Sequence, residues 1–134
     1  KNNFLKKELL RPTKIYVDEI LRLNEKKLIN ACANITGGGL KDNIKRVIPK
    51  GLCAEIDLNK IKTKKIFNWI KSKGVSDSEM HMTFNCGVGF CLIAKEDNFK
   101  LIKKYFNKKY QPYIIGKIIK AKNPVNLKNR ISWT

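Results

Sequence analysis

Ile35-Thr36-Gly37-Gly38-Gly39-Leu40 is the stretch of this sequence best placed for chemistry. Three successive glycines let the backbone take φ > 0 and remove every Cβ that would hold a ligand away from the main-chain N–H groups. The loop follows an alternating apolar run, 29–35, and precedes a helical repeat that begins near Leu40. A loop so placed can turn its amides, and the positive end of the helix, toward an anion. That chemistry is phosphate binding. The same residues also suit a plain turn closed by a glycine cap, and this stretch alone does not separate the two.

Other reactive side chains are less well assembled. Cys32, Cys53, Cys86 and Cys91 contain no Cys-x-x-Cys pair, and Cys86 and Cys91 stand five apart, which turns them to opposite faces if both lie in one strand. No metal site is expected from them. His81 is the only histidine, has no nucleophile beside it in sequence, and is expected on a surface or loop. Glu55 and Asp57 alternate along a strand and Asp18 and Glu19 open a helix, so neither pair converges as a Mg²⁺ site requires.

The elements that must carry the loop follow from size and periodicity. A chain of 134 residues supports one domain around a single core. Hydrophobic residues, 43% of the total, come in short runs, none near the roughly 20 residues that span a membrane. The chain reads as soluble, with no membrane partner. Its first residue is Lys1, and 1–10 lacks the pattern of a signal peptide, so a longer polypeptide is expected upstream. The net charge is +18, yet only Arg11, Arg22, Arg46 and Arg130 are arginine. Lysines spread from end to end suggest the coding bias of an AT-rich genome. Specific nucleic-acid binding is therefore not expected, although the field favours an anionic ligand.

In chain order, 9–13 reads as an extended segment followed by a helix that ends near Lys26-Lys27, with Tyr16, Ile20 and Leu23 on one stripe. Strands are expected at 29–35, 52–57, 88–94 and 113–119. Helices are expected from Leu40 to Ile48, from Thr63 to Lys73 with Thr63 as cap, and from about Asp97 to Phe106. The segment 75–79 reads as irregular, and 121–134 as a loose tail in which Ile131 and Trp133 hint at docking. The fold class is α+β, three-layer and α/β-like, with a mixed sheet of about four strands covered by helices.

Several of these runs together resemble one family. Leu9-Leu10-Arg11-Pro12-Thr13-Lys14-Ile15-Tyr16-Val17 comes first, then Ile35-Thr36-Gly37-Gly38-Gly39 with Asn43 and Arg46-Val47-Ile48-Pro49. Phe67-Asn68-Trp69-Ile70, Glu79-Met80 and Thr83-Phe84-Asn85-Cys86-Gly87-Val88-Gly89 follow in the same order. From about Leu9 to Ile119 this arrangement resembles the C-terminal domain of the phosphoribosylformylglycinamidine cyclo-ligases, also called aminoimidazole ribonucleotide synthetases. The resemblance implies residues 1–12 as an extended linker from a missing N-terminal ATP-binding domain, 13–120 as the C-terminal domain, and 121–134 as a tail. It implies a cytoplasmic, homodimeric enzyme of purine biosynthesis that uses ATP and Mg²⁺ to close the ring of formylglycinamidine ribonucleotide. The missing domain would bind most of the ATP and metal, so this chain alone would be inactive and hold no cofactor. In such a compartment the four cysteines would be reduced and mostly buried.

By the same resemblance, Thr36, Gly37, Gly38 and Gly39 would line the inter-domain cleft and offer N–H groups to a phosphate. Asn43 and Arg46 lie on the helix that leaves the loop, and helix phase decides which of them faces the cleft; Arg46 would equally be a solvated charge. Asn85 would hydrogen-bond from a second wall, or shape its own turn. The catalytic residues stay unassigned. Three positions depart from the family: Asn34 stands where histidine is usual, Lys45 where proline is usual, and Met82 where arginine is usual. Asn34 can donate a hydrogen bond but cannot carry a proton near neutrality. A related synthetase or kinase of the thiamine-monophosphate kinase or selenophosphate synthetase type is the alternative, and a basic nucleic-acid module the remaining one.

Overall fold

Leu52–Asp57 has apolar residues at alternate positions and forms the strand at the centre of the larger sheet, with Cys53, Ala54 and Ile56 buried. The computed structural model describes residues 2–133. In chain order it contains α1 (Asn2–Leu9), α2 (Val17–Glu25), β1 (Ala31–Asn34), α3 (Gly39–Lys45), β2 (Leu52–Asp57), α4 (Lys65–Lys71), α5 (Asp77–Thr83), β3 (Phe90–Ile93), α6 (Phe99–Lys103), β4 (Gly116–Lys120) and β5 (Val125–Lys128). The class is α+β, as the pattern predicts. The strands divide between two sheets instead of joining one: β1 pairs antiparallel with β3, while β2 lies between antiparallel β4 and parallel β5.

The two-stranded ribbon is a wall between two apolar clusters. Ala33 pairs with Cys91 and both face the main core, which includes Ile35, Leu40, Ile44, Ile56, Met80, Val88 and Ile131. Cys32 pairs with Leu92, and Leu92 packs on the second cluster, Leu23 of α2, Leu28 and Ile102 of α6. Successive strand residues point to opposite faces, so a four-residue ribbon can serve both clusters. Burying the leucine, isoleucine, valine and methionine side chains among them contributes roughly 1.5–3 kcal/mol each, before conformational entropy is charged against them.

Five expectations need correction. Residues 2–9 are helical, not an extended linker, with an Arg11–Glu8 ion pair at 2.9 Å just past the helix; the helix of the 17–25 region starts at Val17, after an irregular 11–16. Residues 75–79 are not irregular throughout: Ser76 caps α5, its Oγ accepting the Glu79 amide while Glu79 accepts the Ser76 amide. Thr63 does not cap α4, whose N-cap is Lys64. The stretch 121–134 is no loose tail, since Val125–Lys128 extends the central sheet, Ile131 is 4% exposed, and Trp133 Nε1 donates to Asp77 Oδ1 at 3.0 Å.

Candidate functional site

The ladder between β1 and β3 does not stop at Asn34 and Phe90. One residue on, the Ile35 amide donates to the Gly89 carbonyl at 3.0 Å, which brings the first glycine loop beside the second glycine-bearing run. Tyr16 lies over the same place. A Cβ on Gly89 would stand 2.3 Å from the Tyr16 hydroxyl, and the Tyr16 ring packs 5.0 Å from that of Phe90. The segments around Tyr16, Ile35 and Gly89 are distant in sequence and meet at one end of the ribbon.

Within the loop, Gly38 has φ +90° and Gly39 φ +60°, conformations that L side chains rarely adopt. Their amides already have protein acceptors. Gly38 N–H donates to the Met82 carbonyl at 2.8 Å and Gly39 N–H to the Thr36 carbonyl at 3.1 Å. This corrects the picture of four amides held ready for a phosphate. Thr36 and Gly37 are exposed, and their amides have no protein acceptor among the described residues. They are the donors the loop offers.

Asn43 is 4% exposed and turned inward. Its Nδ2 donates to the carbonyls of Gly39 at 2.8 Å, Gly37 at 3.1 Å and, more weakly, Thr36 at 3.4 Å. It sets the loop's shape and does not face a cleft, because helix phase directs position 43 back over the helix start. Arg46, the C-cap of α3, is exposed and makes no ion pair among the described residues. Seven residues of helix place it about 10 Å along the axis from Gly39. Asn85 is half-buried, and its Oδ1 accepts the Gly87 amide at 3.0 Å. It shapes the turn, leaving Nδ2 without a protein acceptor among the described residues.

Asp42 was missed by sequence reasoning. Its Oδ2 lies 3.3 Å from where a Cβ of Gly38 would be, so a carboxylate borders the loop. The signal was present, because an acid in the first turn of a helix is common chemistry. Asn34 is exposed and lines a cleft of about 380 Å³ with Lys14, Ile15, Tyr16, Leu21 and Phe90. Lys14 is held at its edge by Glu19, 2.6 Å away. Burial pushes the Glu19 carboxyl up, but the Lys14 hydrogen bond and charge outweigh it and leave it below the usual range. Burial pushes the Tyr16 phenol up, so it stays protonated and can donate.

The described residues hold no group of three or more His, Cys, Asp or Glu placed to bind a metal. All four cysteines are free thiols, Cys53 and Cys86 buried, Cys32 and Cys91 half-buried. Burial pushes the Cys86 thiol up to about 11, which removes it as a nucleophile near neutral pH. His81 is half-buried against Trp133, not on an open surface. No helix among the described residues is long and apolar enough to cross a membrane.

Comparison with known proteins gives this geometry a setting. Residues 2–126 match the family described as AIR synthase related protein, C-terminal domain. The chain is similar to the phosphoribosylformylglycinamidine cyclo-ligase of Bacillus cytotoxicus, 42% identical over 119 residues that make up 87% of this chain and 34% of that protein. It is also similar to the enzyme of the same name from Thermodesulfovibrio yellowstonii, 38% identical over 122 residues, 90% of this chain and 36% of that protein. A third relative is the trifunctional purine biosynthetic protein adenosine-3 of Chironomus tentans, 44% identical over 117 residues, 86% of this chain and 8% of that protein. The chain thus spans about a third of the length of the cyclo-ligases it matches.

Proposed function

The chain belongs to the AIR synthase related proteins as their C-terminal domain, and from that premise we propose that it is the C-terminal part of a phosphoribosylformylglycinamidine cyclo-ligase. The reaction assigned to it is the ATP-dependent closure of formylglycinamidine ribonucleotide to aminoimidazole ribonucleotide. An amide oxygen is a poor leaving group until it is phosphorylated, and holding the attacking nitrogen against the activated carbon then supplies much of the rate. The observation that carries the reading is the glycine loop, bent by Asn43 and anchored on α5 so that the amides of Thr36 and Gly37 point away from protein acceptors. These two amides, with the Thr36 hydroxyl, bind a phosphate of substrate or nucleotide.

ATP and Mg²⁺ belong mainly to the upstream part of a longer, homodimeric and cytoplasmic protein. Among the described residues the acids supply no converging ligand set, so the metal's charge neutralisation is assigned elsewhere. The upstream part packs over the cleft beside Tyr16, where Ile15 is 79% exposed and Val17 and Leu21 are also open. Apolar surface of that kind marks a contact between domains.

The test is ring closure by the complete gene product with ATP and Mg²⁺, comparing the parent with Gly37→Asp. Gly37 is the suitable position because a Cβ there meets nothing within 4 Å, whereas Gly38 has positive φ and Asp42 against it. A carboxylate at the loop tip lowers kcat/KM by roughly 10- to 100-fold if a charge-assisted phosphate contact is lost. A folded variant with parental activity removes the loop from the site. A folded but inactive parent moves the assignment to the related synthetases and kinases.

A further inference from the structure

Two parts of the molecule depend on α5. The carbonyls near its end seat the glycine loop: Met82 accepts the Gly38 amide, and the His81 oxygen lies so close to Gly39 that a Cβ there would stand 1.8 Å from it. The segment after β5 also closes on this helix. Ile131 is buried, Trp133 Nε1 donates to Asp77 Oδ1 at 3.0 Å, and Asn129 Nδ2 donates to Asp57 Oδ1 at 2.8 Å. Leu40 of α3, His81 and Phe84 at α5, and Leu127 and Ile131 enclose a void of only about 10 Å³, so the three elements are in close contact. The His81 ring lies 6.4 Å from that of Trp133, and its Nε2 is sealed from solvent with no hydrogen-bond partner among the described residues.

We propose that residues 129–133 form a pH-sensitive strap that fixes α5, and through α5 the glycine loop, with Trp133 and His81 as the positioning residues. The inference concerns how the loop is held and stands whatever the loop binds. Closed, the strap buries a neutral imidazole; a protonated one has to reach water, and in doing so it displaces Trp133 and its bond to Asp77.

The charges around His81 decide the direction. Burial lowers its pKa below 6.5; Asp77, on the same helix, opposes that shift, and Lys71 of α4, 2.9 Å from Asp77, adds to it. Lys41 of α3 lines the same void, Cys86 beyond α5 stays neutral, and Arg130 of the strap is exposed. Because the folded value is depressed, the closed strap keeps its full contribution above the unfolded value. That contribution is lost as pH falls through the folded value.

The experiment is a series of amide spectra of the 134-residue chain from about pH 7.5 to about pH 5. The Gly38 and Gly39 amides and the Trp133 indole N–H should move with the midpoint of the His81 ring, below 6.5, while Gly51, in the turn before β2, stays fixed. His81→Gln should abolish the step at both glycines. Trp133→Phe, which keeps a ring but loses the donor, should shift them at pH 7.5. Glycine amides that stay still through the His81 titration, or a step that persists in folded His81→Gln, overturn the proposal. If Trp133→Phe does not fold, the titration of the parent chain decides alone.

Discussion

A Cβ on Gly39 would stand 1.8 Å from the backbone oxygen of His81, whereas one on Gly37 would meet nothing within 4 Å. Backbone cannot yield as a flexible side chain can, and Gly39 also carries φ +60°. Gly39→Ala should therefore destabilise the fold by roughly 3 kcal/mol or more, combining overpacking with backbone strain. Gly37→Ala should stay within about 0.5 kcal/mol of the parent. Urea denaturation read at constant m separates the two outcomes, and near-equal midpoints would mean that α3 and α5 are not in this contact. The run of glycines was legible in the sequence, but three identical letters hide three constraints: an open tip, a left-handed turn and a helix crossing. Asn43 was legible as a candidate yet not in its role. Whether a helix residue turns toward a ligand or back on its own loop depends on where the helix begins, and the pattern does not fix that residue.

At the scale of elements, β2 was read with its observed bounds because 52–57 carries enough alternation to stand out, and it lies between two other strands. β5 was not, since Val125 and Leu127 are too few to show a period. Its parallel pairing with β2 comes from residues about seventy positions away, and local propensity says nothing of such a partner. α5 was missed for a different reason: Ser76-Asp77-Ser78-Glu79 looks like loop composition, and of the helix only Met80 is buried. The Ser-x-x-Glu spacing of a capping box was nonetheless present, with the serine at the N-cap and the glutamate three residues on. Ser76→Ala removes the oxygen that accepts the Glu79 amide at 3.2 Å. It should cost about 1 kcal/mol. Because α5 supports the glycine loop, hydrogen exchange at Gly38 should accelerate along with the amides of α5. Acceleration confined to α5 would show that the helix frays without loosening the loop.

At the scale of the whole molecule, a net charge of +18 leaves few acids, and most of those that titrate abnormally fasten distant parts of the chain. Glu55 of β2 is lowered chiefly by its hydrogen bond with Lys128 of β5, 2.7 Å away, and Asp57 chiefly by Asn129 just beyond. Asp77 is lowered first by Lys71 and also by Trp133. These three acids all hold β5 or the segment after it. Their folded values are depressed, so their contribution is complete above the unfolded values of 3.8 for aspartate and 4.5 for glutamate, and it is lost as pH falls through the folded values. The contacts are exposed or only part-buried and individually weak, but they act on one strand and the residues after it, while protonation also increases the repulsion among the lysines. Acid should therefore release β5 and the residues after it before the β1–β3 ribbon, which has no such ties. Hydrogen exchange at about pH 3 should show early loss of protection at Asn126 and Lys128 while Ala33 and Cys91, a hydrogen-bonded pair of the ribbon, remain protected. Added salt should narrow the gap by screening the lysines. Simultaneous loss of both sheets would instead mean that the two cores unfold as one unit and that these acids tether nothing separately.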